Sequence, residues 1–228
     1  MALPTLARRW TAADLRYDPV SHTTTNPNGD DVPHVTRILN ATGISLNFSE
    51  LAQLSPRLGR QIAYRRDLGS AFHADSHALD DGDLDWSTVH PDVAPYLDAW
   101  QSTKVALELE PLRRERQVYH HAFRYTGIMD GIFKVLSRKL GRRYLQVLID
   151  LKLGDPDDAG AQYQLAAYDA AHKTDADHEI VDELWAIQIL PQLAVPYKVT
   201  NYSSRPAAAR AFSDFTAFLT TFRCQRNH

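Results

Sequence analysis

The stretch LIDLKLG, residues 148–154, places two charged side chains inside an apolar segment, and this pattern decides the predicted fold. Side chains two apart on a β-strand share a face, so Asp150 and Lys152 are expected on one side of a sheet and Leu151 on the other. The preceding residues, YLQV at 144–147, are mostly apolar or β-favouring and predict a largely buried strand. An acid and a lysine at the end of such a strand indicate a reactive patch supported by the core.

A second strand is predicted over residues 127–135, GIMDGIFKV, upstream of the first. The segment between the two strands, SRKLGRR at 137–143, is polar apart from one leucine and contains a glycine, which is typical of a hairpin. If the turn centres on Leu140, the antiparallel register places Lys134 opposite Gln146.

The same register brings two carboxylates, those of Asp130 and Asp150, face to face across the ladder. Directly opposed side chains have Cβ atoms roughly 4.5–5.5 Å apart, and like charges there destabilise a sheet. A divalent cation between the carboxylates would remove the conflict, and hard oxygen ligands suit Mg²⁺ or Mn²⁺. The alternative is a pair of unrelated surface acids.

The composition suits one α/β domain, because 228 residues with 44% hydrophobic content can bury a proper core. We expect residues 1–33, which mix Asn, Asp, Pro, Thr and Gly without period, to form an irregular lead-in. Residues 34–228 are expected to form a single domain. Helices are predicted over residues 56–79, 91–107, 157–172 and 206–222, and further strands over 117–119, 184–190 and 197–202.

Several classes of protein are excluded or disfavoured by the sequence. No apolar run is long enough to span a bilayer, and the opening MALPTLARRW lacks the apolar stretch of a signal peptide, so a cytoplasmic location without membrane contact is expected. The single cysteine, Cys224, excludes an internal disulfide and an iron–sulfur cluster held by this chain alone. A net charge of -3 disfavours coating of nucleic acid by bulk electrostatics. Arginine clusters such as the one containing Arg65 and Arg66 are either solvated faces or local phosphate contacts.

Four motifs occur in a definite order and together resemble the PD-(D/E)XK nuclease superfamily, within it the RecB-like branch that includes many phage exonucleases. They are G-x-x-x-H at Gly69 and His73, G-x-x-D at Gly127 and Asp130, D-x-K at Asp150 to Lys152, and Q-x-x-x-Y at Gln164 and Tyr168. The resemblance runs from about Val35 to Phe222. It departs from the nominal pattern at two positions, because Met129 stands in place of the name-giving proline and Asp150 in place of the commoner glutamate. The implied fold is a central mixed β-sheet flanked by α-helices, the restriction-endonuclease-like core.

The resemblance also implies roles for individual residues. His73, Asp130 and Asp150 would bind one or two Mg²⁺ or Mn²⁺ ions, helped by the main-chain carbonyl of Leu151. Asp130, Asp150 and Lys152 would form the catalytic set, in which Lys152 orients or activates the attacking water. On the nucleic-acid side we expect Gln164 and Tyr168, which share a helix face, together with Arg65 and Arg66.

Other interpretations of these residues stay open. His73 and His77, one helical turn apart, resemble half of a zinc site, but no third or fourth ligand is evident. His73 is also compatible with an ordinary interior histidine. Gln164 and Tyr168 are equally compatible with packing of a helix on the sheet. Glu115 is either an additional acid of the site or a plain surface residue.

The expected function is that of a metal-dependent DNA nuclease, with exonuclease activity in phage or bacterial recombination and repair as the preferred form. One alternative is a structure-selective or restriction-type endonuclease that uses the same site. Another is a catalytically silent DNA-binding or assembly subunit. DNA is the expected partner, and a homo-oligomer or a recombination protein is a further possible one.

Overall fold

The computed structural model describes residues 10–18, 23–44, 53, 55–137, 141, 143–153, 160–175 and 178–226 and has an α/β architecture. Five strands form the main sheet, in the order β3-β4-β5-β6-β7. The strands are β1 (Arg16–Asp18), β2 (Thr23–Thr25), β3 (Leu109–His120), β4 (Tyr125–Ser137), β5 (Arg143–Lys152), β6 (Glu183–Ile189) and β7 (Tyr197–Asn201). The helices are α1 (Val35–Ala41), α2 (Pro56–Asp81), α3 (Ala94–Leu107), α4 (Gly160–His172) and α5 (Arg205–Arg226).

The main sheet is mixed, as expected. Strands β3, β4 and β5 are antiparallel neighbours, β5 and β6 are parallel, and β7 pairs antiparallel with β6. The parallel pair needs a crossover connection, which α4 supplies. The β4–β5 hairpin has the predicted register, since Lys134 lies opposite Gln146.

Helices cover both faces of the sheet and enclose two hydrophobic clusters. On one face, α1, α4 and α5 pack against the sheet around Met129, Leu148 and Phe215. On the other face, α2 and α3 pack around Trp100 and Leu151. Within the described ranges, none of the helices combines the length and the apolar character needed to cross a bilayer.

Local signals account for the long helix α2. The Ser55 side chain accepts a hydrogen bond from the Leu58 N–H at 3.1 Å, and Pro56 occupies the first turn, where its missing N–H costs nothing. The helix ends at Gly82, whose φ of 80° is the left-handed conformation that favours glycine. The predicted helix is therefore confirmed and runs slightly beyond its expected end.

The expectation of an irregular lead-in is wrong for part of residues 1–33. A 3-10 turn at Ala12–Asp14 precedes the two-stranded antiparallel sheet of β1 and β2. Leu15 and Val32 pack with Tyr119 of β3 in a small cluster of their own. The polar composition concealed these strands because their side chains contact neighbours outside the segment.

Strand β3 is much longer than predicted, since it begins at Leu109 and not at Gln117. Its first eight residues, LEPLRRER, include a proline and five charged residues, a composition depleted in strands. Tertiary ion pairs offset this, because Arg113 contacts Glu179 at 2.6 Å and Arg116 contacts Asp175 at 3.5 Å. The predicted helix start at residues 157–158 lies outside the described residues.

Candidate active site

The end of β5 has the two-sided arrangement that the tripeptide predicts. Leu151 is buried in the cluster below α2 and α3. Asp150 lies on the opposite face of the sheet, and only 2% of its surface is exposed. Lys152 points the same way, with Nζ 2.9 Å from Asp150 Oδ2. A buried acid and a partly exposed lysine therefore share one face at the strand end.

Gln164 of α4 links these two groups. Lys152 Nζ donates to Gln164 Oε1 at 3.1 Å, and Gln164 Nε2 donates to Asp150 Oδ1 at 2.9 Å. The same Nε2 lies 3.2 Å from the Tyr168 hydroxyl oxygen. One amide thus fixes the acid, the lysine and the tyrosine relative to one another. The structure brings the D-x-K and Q-x-x-x-Y motifs together.

Asp130 lies beside this group at the edge of the β4–β5 ladder. The pairing continues to Gly131 opposite Ile149 and ends there, one step before Asp130 would face Asp150. Instead, Asp130 Oδ2 accepts a hydrogen bond from the Leu151 N–H at 2.6 Å. The N–H and C=O of one strand residue point to the same side, so the Leu151 carbonyl is also directed toward the Asp130 side of β5.

His73 reaches Asp130 from helix α2. Its Nδ1 lies 3.6 Å from Asp130 Oδ1, and both side chains are partly buried. His77, one turn further along, faces a different acid, with Nε2 3.6 Å from Asp81 Oδ2. The two rings therefore have separate acid partners, and of the two only His73 is in contact with an acid of the proposed site.

The electrostatics of the site centre on Asp150. Burial raises the pKa of this carboxyl to about 6, while the Lys152 ammonium opposes the rise and the neighbouring Asp130 adds to it. Among the described residues, no hydrogen bond of regular geometry reaches Asp150 Oδ2, which Lys152 Nζ contacts as an ion pair. Burial, with Asp150 next in importance, also raises the pKa of the Tyr168 hydroxyl. The ionised carboxylate is thus held where one oxygen lacks a proper donor.

Gly127 explains how Tyr168 reaches this position. A Cβ at residue 127 would lie 2.3 Å from a ring carbon of Tyr168, far inside van der Waals contact. The glycine lets the tyrosine ring lie directly on the β4 backbone, with its hydroxyl at Gln164. Gly127 therefore links the second motif to the fourth by packing.

The residue types at this strand end fit a hard divalent cation. They offer two carboxylates, an imidazole Nδ1 and a main-chain carbonyl, and one oxygen of Asp150 has no hydrogen bond among the described residues. Even so, no cluster of three or more His, Cys, Asp or Glu side chains stands ready to hold a metal within the part of the chain that is described. The carboxylates are engaged instead by the Leu151 N–H, Lys152 and Gln164.

Two of the proposed nucleic-acid contacts lie apart from this group. Arg65 and Arg66 are exposed on α2, and Arg66 pairs with the adjacent Asp67 at 3.0 Å. Arg66 precedes His73 by seven residues, or about 10 Å along the helix axis. No contact with the acids joins either arginine to the site within the described residues.

Glu115 occupies an irregular position in β3. It stands between Arg114, which pairs with Gly131, and Arg116, which pairs with Met129, so that it faces Asp130 in the register. Its φ of 43° is unusual for a non-glycine residue, and its side chain is exposed. The structure therefore places a third acid on the strand next to Asp130.

A buried ion cluster supports the helix that carries His73, and the sequence analysis missed it. The Ser76 hydroxyl donates to the His73 carbonyl at 2.9 Å and accepts from Arg114 Nη2 at 3.3 Å. Arg114 Nε also lies 3.1 Å from Asp80, whose side chain is fully buried. These residues are far apart in the chain and share no motif, so the sequence held no signal for their contact.

Comparison with known proteins gives no family: no protein-family model matches the chain, and no curated protein has significant similarity to it.

Proposed function

We propose that this chain is a metal-dependent DNA nuclease that hydrolyses phosphodiester bonds, with a restriction-endonuclease-like core. The observation that carries the proposal is the state of Asp150. Among the described residues, this buried carboxylate has one oxygen without a hydrogen bond, an ion pair with Lys152 and a second acid, Asp130, close by. Such an arrangement is unfavourable for the fold alone and is common at catalytic sites.

In the proposed site, Asp130, Asp150 and His73 hold Mg²⁺ or Mn²⁺, together with the Leu151 carbonyl. A bound divalent ion supplies a nucleophilic water near neutral pH and neutralises charge on the phosphate. The Leu151 N–H orients Asp130 by its hydrogen bond. Lys152 contributes a fixed positive charge next to the reacting phosphate, where preorganised charge is worth several kcal/mol.

Gln164 and Tyr168 are proposed to line the nucleic-acid side of the site. Gln164 holds the Lys152 ammonium beside Asp150, which keeps that charge in place before substrate arrives. We propose exonuclease activity in recombination or repair as the preferred form, on the resemblance to RecB-like enzymes. A cytoplasmic location, and a homo-oligomer or recombination partner, belong to the same proposal.

A catalytically silent DNA-binding or assembly subunit is the second candidate. It is favoured by the absence of a ready three-ligand cluster among the described residues and by the engagement of both acids within the protein. In that case Lys152 would serve as a permanent counter-ion for Asp150.

Cleavage assays on linear and covalently closed circular DNA, with Mg²⁺ or Mn²⁺, test the proposal. We expect cleavage of linear DNA that falls at least about 10³-fold in Asp130→Asn and in Lys152→Ala. Lys134→Ala, which removes a lysine of β4 outside the site, is the matched control and should cleave like the wild type.

The outcomes separate the candidates. Loss of linear DNA alone supports an exonuclease, and nicking of the circle supports an endonuclease with the same site. Retained DNA binding without cleavage of any substrate favours the silent subunit. Wild-type rates in either site variant contradict the assignment of the site.

A further inference from the structure

A cavity of about 510 Å³ lies apart from the Asp150 site, between the N-terminal segment, the β3–β4 turn and the end of α5. Arg124, in the turn, precedes Asp130 by six residues, or about 20 Å along an extended strand. The volume is within the range of small-molecule sites, roughly 300–1,000 Å³. Its wall includes three arginines and three aromatic residues: Arg124, Arg223, Arg226, Trp10, Tyr119 and Phe222.

Two of the arginines, Arg124 and Arg223, form a like-charge pair, and neither has an ion pair with an acid in the described ranges. Arg223 Nη2 donates to the main-chain carbonyls of Phe123 at 2.6 Å and Arg124 at 3.2 Å. Within the described residues, the Arg124 side chain makes no hydrogen bond or ion pair. Burial and the positive charge of Arg124 both lower the pKa of Arg223. An anion in the cavity would relieve this repulsion.

The third arginine is held by an acid. Arg226 contacts Asp31, which also binds Arg37 at 2.9 Å. Arg37 and Arg226 lie over the ring of Phe222, with 5.6 and 5.7 Å to its centroid. These contacts form a fixed wall, and of the arginines that line the cavity only Arg124 and Arg223 have no ion pair among the described residues.

The backbone at Arg124 is consistent with a functional role. Its φ of 49° is left-handed, and its N–H donates to the His120 carbonyl at 2.7 Å to close the turn. Non-glycine residues adopt this conformation at an energetic cost, which often occurs at ligand sites. A glycine would close the same turn at a lower energetic cost, so the turn geometry does not account for an arginine at this position.

The other residues that line the cavity indicate which chemical group is attached to the anion. Trp10 and Tyr119 both line the cavity, but Tyr119 is only 3% exposed and packs with Leu15 and Val32, so the partly exposed Trp10 is the ring on which a nucleobase can stack. Asp30 uses Oδ2 to accept from Asn26 Nδ2 at 2.9 Å, and its carboxylate lines the same cavity. We propose that the cavity binds a phosphorylated nucleoside, with the phosphate on Arg124 and Arg223 and the base against Trp10.

Isothermal titration calorimetry on the full chain, without divalent metal, tests whether the cavity binds a phosphorylated nucleoside. We expect dAMP to bind, and deoxyadenosine and inorganic phosphate to bind at least about tenfold more weakly, because each lacks one half of the recognised group. Arg124→Gly suits the left-handed turn and should weaken dAMP binding about tenfold or more. Arg210→Ala, an exposed arginine of α5 outside the cavity, is the matched control and should leave the affinity unchanged.

The ligand chemistry has two sources, a free mononucleotide or the 5′-terminal nucleotide of a DNA strand. Competition by a 5′-phosphorylated oligonucleotide, but not by its 5′-hydroxyl counterpart, identifies the strand end. Failure of both oligonucleotides to compete with bound dAMP identifies the free mononucleotide. Equal affinity for dAMP and deoxyadenosine, no dAMP binding, or unchanged affinity in Arg124→Gly overturns the proposal. Catalysis plays no part in these measurements, so the result is independent of the nuclease assignment.

Discussion

Asp80 and Asp150 are both buried carboxylates, but the fold surrounds them differently. Asp80, on α2, contacts two cations, Lys104 and Arg114, and accepts a hydrogen bond from Trp100 Nε1 at 3.1 Å. Its charge is therefore compensated by groups of the protein itself. This cluster joins α2, α3 and β3.

Asp150 has less compensation in an equally buried place. Within the part of the chain that is described, it forms an ion pair with Lys152, and Asp130 adds a second negative charge nearby. Oδ1 accepts from Gln164, but Oδ2 has no hydrogen bond among the described residues. The comparison shows that burial alone does not mark a functional acid. Incomplete compensation of the carboxylate charge by the protein does mark one, because a bound cation can then supply the missing counter-charge.

The largest expected effect on stability is that of Asp80→Ala. Removal of the acid leaves Lys104 and Arg114 partly or fully buried without their counter-charge. We expect the free energy of unfolding to fall by about 3–5 kcal/mol. Denaturant unfolding measures the change, and Asp98→Ala, at an exposed position of α3, should alter it by less than about 0.5 kcal/mol. A loss at Asp80 no larger than the control would remove the structural role of this cluster.

Asp150→Asn should instead stabilise the protein above pH 6. The pKa of Asp150 rises from 3.8 to about 6 on folding, so the folded state binds more protons in that window and its stability falls as pH rises. Ionisation of this group costs the folded state up to about 3 kcal/mol, which asparagine avoids.

Denaturant unfolding of Asp150→Asn and the wild type at pH 4 and pH 8 measures the size and the sign of the difference in unfolding free energy. The variant should be more stable at pH 8, and the difference should shrink to less than about 1 kcal/mol at pH 4, where the folded state holds the proton and the unfolded state is close to its own pKa of 3.8. A variant that is less stable than the wild type at pH 8 would place Asp150 in the same structural class as Asp80.

Gly127→Ala should disturb the packing of Tyr168 beside the Asp150 site. The new Cβ would lie 2.3 Å from the Tyr168 ring, so the tyrosine must move and with it the hydrogen bond to Gln164. We expect a loss of about 1–3 kcal/mol in unfolding free energy and a lower rate of DNA cleavage. If Gly127→Ala unfolds and cleaves like the wild type, Tyr168 has no positional role.

The smallest expected effect is that of Gly69→Ala on α2. Nothing lies within 4 Å of the Cβ position, and alanine favours a helix by about 1 kcal/mol over glycine. Stability should therefore rise slightly. Reduced cleavage in this more stable variant would show that DNA approaches the α2 backbone at this point, whereas unchanged cleavage restricts the substrate to the Asp150 side.

The sequence predicted the main sheet and most of its helices, because the apolar periodicity and hairpin composition agreed with the tertiary contacts. The register of β4 and β5 followed from the turn at Leu140 and is confirmed at Lys134 and Gln146. The two faces of residues 150–152 followed from strand periodicity alone. Local rules sufficed here because both strands are buried.

The remaining parts depended on contacts that no local pattern records. The charged start of β3 was not predicted as strand, because the partners of Arg113 and Arg116 lie beyond α4. Asp80 meets Arg114 only after α2 packs on β3. Leu15 and Val32, which flank the N-terminal strands, likewise pack against Tyr119 of β3. Long-range ion pairs and packing, and not residue preferences, created these features.

The most direct test of the proposed site is a calorimetric titration of Mn²⁺ into the wild type, Asp150→Asn and the control Asp98→Asn at pH 8. If the uncompensated carboxylates bind a cation, the wild type and Asp98→Asn should bind Mn²⁺ with equal affinity. Asp150→Asn should bind Mn²⁺ at least about tenfold more weakly. Equal binding by all three proteins, or binding by none, would contradict a metal site at Asp150.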